Sequence, residues 1–221
     1  MLYVVSTPIG NLRDITFRAV DVLKNCDLVI AENPSHTARL LKTYDIAKPT
    51  KQFADHNEQR VLGSLVKECK EKNACLVSDA GTPGVSDPGF RLIRECIKEG
   101  IEIDVIPGVS SVIAALTLSG LPSDRFLFVG FLPKTEIKLY RIIELIEATD
   151  STLIAFESPQ RLKKTIALLE NKFPAYNIAI ARELTKLHQE VIRASIAECS
   201  KQISKRQSIK GEIVLVISKK K

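Results

Sequence analysis

The densest concentration of small polar chemistry in the chain is VSDAGTPGVSDPG at 77–89. Its thirteen residues include three Gly, two Pro, two Ser, two Asp and one Thr. A loop that only reverses the chain has no need of so many, and this composition suits a backbone shaped to approach a ligand. Gly and Pro cluster again at 8–10, 107–108, 130–133 and 159, each time just after a short apolar run. Loops at the carboxyl ends of strands are where open α/β sheets bind ligands. Several familiar chemistries are excluded. There is no G-x-G-x-x-G after a strand and no G-x-x-x-x-G-K-[ST], which disfavours dinucleotide and P-loop sites. There is no G-x-S-x-G elbow, and Ser86 and Ser110 have no recognisable His partner. Asp79 and Asp87 read as turn carboxylates that satisfy backbone N–H groups rather than as metal ligands. His36, His56 and His188 share no metal-ligand spacing. The five cysteines are odd in number and include no C-x-x-C, so neither a disulfide framework nor a zinc site is expected. No metal is expected.

These loops must be held by regular elements. Strands are expected at 2–6, 27–32, 74–79 and 101–108, with helices at 16–24, 35–43, 57–72, 89–98 and 110–120. Asp14 or Thr16 would cap the first helix. The pattern restarts with strands at 125–130, 151–158, 177–183, 190–196 (an edge strand by its alternation) and 212–218. Helices at 136–147 and 159–171 lie among them, the latter starting at Pro159. Strand–helix alternation argues an α/β fold. The break Ser-Gly-Leu-Pro-Ser-Asp-Arg at 119–125 suggests domains at 1–118 and 119–221. Each would be a mixed sheet flanked by helices, with a cleft between them.

The chain of 221 residues is 45% hydrophobic and 26% charged, which excludes disorder. No apolar run approaches the roughly 18 residues of a membrane span. The first residues, MLYVVSTPIG, carry no secretory signal pattern. A cytoplasmic protein is expected. Charge is uneven. Residues 1–133 hold 15 basic and 16 acidic side chains, whereas 134–221 hold 17 basic and 10 acidic ones, including the Lys219-Lys220-Lys221 tail. The second part is the electrostatic candidate for a polyanion such as RNA.

The blocks LYVVSTPIGNLRDIT (2–16), VSDAGTPGVSDPG (77–89), IPGVSSVIAALTLSGLPSDRFLFVGFLPK (106–134), ESPQRL (157–162) and ARELTKL (181–187) resemble the tetrapyrrole-methylase-like superfamily. Within it they resemble the bacterial small-subunit rRNA (cytidine-2′-O)-methyltransferase I (RsmI) family. The resemblance covers nearly the whole chain, in order. It implies a two-domain α/β fold, S-adenosylmethionine as methyl donor, a homodimer, and 2′-O-methylation of a cytidine in the decoding region of 16S rRNA within the 30S subunit. The chain departs from the family pattern at AENPSHT (31–37), where AEDTRHT is usual, and at IPGVSS (106–111), where IPGPSA is usual. Typical members also carry a further C-terminal segment. The basic 201–210 stretch and the Lys tail are candidates to substitute for it.

The resemblance also implies site residues. Pro8, the loop Asp79-Ala80-Gly81-Thr82 and the helix start Val109-Ser110-Ser111 would approach the donor. From the second half, Phe156, Glu157 and Leu184 would line the pocket. Glu157 and Glu183 could instead pair with Arg161 and Arg182, and Phe156 could be core. A ribose hydroxyl needs a proton acceptor, and Asp14, Glu32, His36 and His56 are the candidates, left unassigned. Asn11 and Asn57 could orient ribose or base. Arg13, Arg18, Arg39, Lys134 and Arg161 are candidates for phosphate contacts. Two other readings fit the same fold. One is a methylase acting on a tetrapyrrole or other small molecule. The other is a catalytically inactive RNA- or ribosome-binding relative.

Overall fold

Helices start where a short polar side chain can satisfy the first free N–H groups. The computed structural model describes residues 1–219. In it the Thr16 hydroxyl accepts from Ala19 N at 3.1 Å and opens α1 (Phe17–Asn25). The Asn33 carboxamide accepts from Ser35 N and His36 N, and Pro34 occupies the first turn of α2 (Pro34–Thr43). The Asn33-Pro34-Ser35 departure is therefore a well-formed helix start.

The chain divides into two compact units, Met1–Ser110 and Ser111 onward. The sequence places the break at 118/119. The helix between those positions, α5 (Ser111–Ser119), packs on strands of the second unit.

The first unit holds β1 (Leu2–Val5), β2 (Leu28–Ala31), β3 (Thr50–Gln52), β4 (Ala74–Val77) and β5 (Ile103–Ile106) in the order β3-β2-β4-β1-β5. Every pairing is parallel, which is stricter than the mixed sheet expected of it. Parallel strands covered on both faces need apolar side chains on both, and β2 and β4 are buried throughout. Successive residues serve opposite layers. Leu28, Ile30, Ala74 and Leu76 pack with α3 (Glu58–Glu71) and α4 (Phe90–Lys98). Val29, Ala31, Cys75 and Val77 pack with α1 and α2. All five cysteines are buried and free, as small hydrophobes should be.

The second unit holds β6 (Phe126–Phe131), β7 (Thr152–Glu157), β8 (Asn177–Arg182), β9 (Glu190–Ser195) and β10 (Ile213–Ser218) in the order β6-β7-β10-β8-β9. Only β6·β7 is parallel, so this sheet is mixed. One apolar layer packs it against α6 (Glu136–Ala148), α7 (Pro159–Lys172) and α8 (Ile196–Ser204). The sequence reading omits β3, a three-residue polar strand. It also omits α8, which begins on the residue after β9 through a capping box of Ser195 and Glu198. The basic 201–210 stretch thus starts inside a helix. Lys219 pairs with Glu147, while Lys220 and Lys221 lie outside the described residues. Among the described residues no helix is long and apolar enough to cross a membrane.

A Cβ on Gly108 would stand 2.8 Å from that of Ser6. Gly108→Ala should therefore lower stability by about 1–3 kcal/mol through overpacking, measured by chemical denaturation.

Candidate functional site

In the first unit β1 lies between β4 and β5, so the loops leaving their carboxyl ends meet on one edge. The connection after β1 returns towards β2, while that after β4 runs on to β5, on the other face. Such a reversal opens a crevice. The backbones of Thr7 and Gly81 bond reciprocally at 2.9 and 3.0 Å. The Thr7 hydroxyl donates to Ser78 O at 3.2 Å, and the Ser6 and Thr82 hydroxyls share a bond of 2.9 Å. Ser6 N donates to Ile106 O at 3.1 Å, beside Pro107-Gly108. Gly81 has φ +79°, a conformation that suits glycine. Pro8, Asp79, Ala80, Gly81 and Thr82 thus stand on one hydrogen-bonded platform, with Pro8 buried and Asp79, Ala80 and Thr82 half-buried. Val109 and Ser110 continue from the β5 loop, and Ser111 is the first residue of α5.

Beside this platform lies a group of carboxylates. The Glu32 carboxylate, after β2, accepts from Asp79 N at 3.3 Å. Burial, with the Asp79 and Asp55 charges adding to it, raises the Glu32 carboxyl above its usual range. Asp87 is pushed up to about 6, by burial first and then by the charge of Glu32. His36 Nδ1 lies 3.6 Å from Asp79 Oδ1, too far for a hydrogen bond, and that buried oxygen has no hydrogen-bond partner among the described residues. Asp14 stands in a 3₁₀ turn, Leu12–Asp14, outside this group. His56 is exposed in the loop before α3. The raised carboxyl of Asp87 escaped the sequence reading, which took it for a turn residue; its partial burial is a property of the folded loop.

Several residues proposed to meet RNA are occupied within the protein. The Asn57 carboxamide accepts from Ala54 N at 2.9 Å and donates to Gln52 O at 3.4 Å, fixing the turn after β3. The Asn11 side chain accepts from Arg13 N and caps the 3₁₀ turn. Arg18 donates to Val105 O at 2.7 Å and pairs with Asp104 at 3.7 Å, bracing the edge strand β5. Arg13, Arg39 and Lys134 are exposed.

In the second unit Phe156 stacks edge-on against Phe128 and Phe131, with centroids 5.1 and 5.6 Å away. Its ring is half-buried, and Phe131 is exposed at the sheet edge. Glu157 is 2% exposed. Its carboxylate accepts from Ser158 N at 2.7 Å and from the Thr165 hydroxyl at 2.5 Å, and Arg161 lies 3.4 Å away. Arg161 also donates to Leu132 O and Pro133 O at 2.8 and 3.2 Å. The Glu157–Arg161 pair left open by the sequence is therefore formed, with its carboxylate buried and its guanidinium half-buried, and Arg161 holds the loop after β6. Glu183 pairs with Lys186 at 2.9 Å rather than with Arg182. Arg182 pairs with Glu190 at 3.1 Å, and Arg206 joins them. These guanidinium groups, Arg206 first, hold Glu190 at about 2. The network clamps a loop in which Glu183 and Thr185 take positive φ and Leu184 is buried. Glu190 and Arg206 lie 16 residues apart and in no motif, so the sequence carries no signal of their union.

A folded pKa above the usual 3.8 means that Asp87 favours the protonated native state, so its contribution weakens as pH rises from about 4 through 6. Asp87→Asn should remove this dependence. Unfolding free energies of the two forms should converge near pH 4 and favour the variant at pH 7, as urea titrations at both pH values will show. Glu157→Ala leaves the buried Thr165 hydroxyl without its acceptor and Arg161 without its counter-charge, and should cost about 2–3 kcal/mol in the same assay.

Comparison with known proteins agrees with this architecture. The family model for Tetrapyrrole (Corrin/Porphyrin) Methylases matches residues 1–200. The chain is 45% identical to the Ribosomal RNA small subunit methyltransferase I of Hydrogenobaculum sp. (strain Y04AAS1), over 99% of this chain and 95% of that protein. It is 40% identical to the protein of the same name from Thermotoga maritima, over 99% and 98%. A crystal structure of diphthine synthase superposes with a TM-score of 0.78 at 14% identity, over 98% of this chain and 89% of that one, which supports the fold alone.

Proposed function

The chain belongs to the tetrapyrrole methylase family and, within it, to the small-subunit ribosomal RNA methyltransferase I group; from that membership we propose that it moves a methyl group from S-adenosylmethionine to the 2′-hydroxyl of a cytidine in the decoding region of 16S rRNA. The substrate is the 30S subunit and the working form a cytoplasmic homodimer. The observation that carries the reading is the platform formed by the loops after β1, β4 and β5, with a buried, unpartnered Asp79 oxygen beside it.

The platform suits the donor. A buried carboxylate oxygen without a partner fits a ligand rich in N–H and O–H groups, as the amino-acid and ribose parts of this donor are. Pro8, the loop at 79–82 and Val109-Ser110-Ser111 would hold it. Within the second unit Phe156 is half-buried, Leu184 is buried, and the Glu157 carboxylate is committed to Thr165 and Arg161. The bound donor supplies a methyl group on a cationic sulfur, and its charge is lost on transfer. Small residues and backbone carbonyls around the sulfur do not oppose that loss, whereas a strong anionic contact would.

The acceptor hydroxyl must give up a proton. Of Asp14, Glu32, His36 and His56, we assign this to Glu32, because burial and neighbouring carboxylates raise its proton affinity. Asp79 and Asp55 supply the negative surroundings, and His36 faces Asp79. Arg13, Arg39 and Lys134 are free to meet phosphates, which fix register rather than sequence.

Labelled donor incubated with 30S subunits lacking ribose methylation should yield one 2′-O-methylcytidine in the decoding region, located by nucleotide mapping. Transfer to a tetrapyrrole instead, or donor-independent 30S binding alone, would replace this reading by one of the two others. Glu32→Gln should lower kcat by about 10²–10⁴ while leaving donor affinity within a few fold, measured by calorimetry.

A further inference from the structure

An open groove of about 470 Å³ lies in the first unit between the loop after β3 and the start of α4. It is lined by Asp55, His56, Glu58, Gln59, Arg60 and Arg91. Asp55 to Arg60 follow β3, and Arg91 opens the helix after β4, so the groove lies at the same carboxyl edge of the sheet as the platform. We propose that this groove binds the cytidine that is methylated, with Arg60 and Arg91 on its flanking phosphates, Asp55 on the exocyclic amine and His56 against the base. The proposal rests on the rRNA reading above.

The chemistry of the lining selects the ligand. No aromatic or aliphatic core side chain faces the space, so an apolar molecule has nothing to bury against. Among the described residues no group of His, Cys, Asp and Glu could hold a metal. A simple anion would meet Asp55 and Glu58 as well as the arginines. A nucleotide matches both signs, because it pairs an anionic phosphate with a neutral base bearing N–H donors. Carboxylates accept from the N4 amine of cytosine. Uracil presents an acceptor, O4, at that position, so a carboxylate there rejects it. The Gln59 amide can donate to O2 or N3, and a flat imidazole offers a stacking face, as single-stranded RNA recognition uses.

Two further features support the placement. Glu58 is nearly buried and its carboxylate holds Arg91 Nε at 3.3 Å, while the Arg91 side chain remains 47% exposed. A guanidinium fixed along one edge and open elsewhere is prepared for a phosphate. Asp55 also acts electrostatically on Glu32, to which the ribose proton is assigned, and on Asp87, so the groove lies within charge range of both carboxylates. Reading the base and accepting the proton would then fall to consecutive loops of one sheet edge.

The test uses the full chain with 30S subunits carrying either cytidine or uridine at the mapped position, and fluorescein-labelled single-stranded RNA of the surrounding sequence. Arg60→Ala should weaken RNA binding about 10-fold and reduce the slope of log K against log salt by about 1. Asp55→Asn, whose amide both donates and accepts, should cut the cytidine-over-uridine preference in kcat/KM by about 10-fold or more. Donor affinity should stay unchanged in both variants. Wild-type salt slope and base preference in both variants, with the wild type active on 30S subunits, would overturn the groove and leave the rRNA reading standing. A wild type that binds donor but neither methylates 30S subunits nor binds the RNA would overturn that reading and the groove with it.

Discussion

Two backbone hydrogen bonds between Thr7 and Gly81 hold the first unit's functional edge together. They form an antiparallel bridge past the end of the parallel β1·β4 pair, tying the loop after β4 to the chain that leaves β1. Loops at such an edge would otherwise solvate their N–H and C=O groups separately and move independently. The reciprocal pair forces the Ser78–Thr82 loop to follow Pro8, and the hydroxyl contacts of Ser6 and Thr7 then fix the side-chain side of the same junction. Gly81 is required there because its φ is positive, and Gly108 because Ser6 leaves no room for a Cβ. Conformational entropy that a ligand would have to remove is spent during folding instead.

The two units solve different problems. The first buries a parallel sheet on both faces, and its long connections deliver several loops to one edge. The second, antiparallel-rich sheet joins β8 to β9 by a short loop and its other consecutive strands through helices, and its polar content is invested in bracing the loops. Glu157 ties the loop after β6 to α7, and Glu190 ties the loop after β8 to the segment before β10. Both carboxylates are satisfied several times over, which is what makes their burial tolerable. The first unit leaves a buried Asp79 oxygen without a hydrogen-bond partner among the described residues, beside Glu32 and Asp87, whose carboxyls are raised by burial and neighbouring charge. Raised carboxyls gathered at a sheet edge are a pattern that active sites use.

Much of the architecture was legible in the sequence because strands buried on both faces leave continuous apolar runs and capped helices leave Thr, Asn and Pro signals. β3 was not, since three polar residues at an edge carry no periodicity. α8 was hidden because it begins with no intervening loop, and its apolar positions Ile196, Cys199 and Ile203 are read as the end of a strand followed by a basic segment. For the candidate site, the loop dense in Gly, Pro and Asp at 77–89 does follow β4, at the carboxyl edge of the sheet. That density did not separate Asp87, half-buried and perturbed, from an ordinary turn carboxylate. Asn57 and Arg18 looked like RNA contacts because side-chain chemistry is visible in a sequence and prior commitment to a backbone carbonyl is not.

The direct passage from β9 into α8 bears on how this protein can vary in length. Ser195 is at once the last residue of a strand and the cap of a helix, so no residue between them is a spacer. Inserting or deleting one residue there would turn the pleat of β9 over, exchanging its two faces, and would pull the Ser195–Glu198 box apart. Related chains that differ in size are therefore expected to absorb the change elsewhere, and this junction should serve as a fixed point for aligning them.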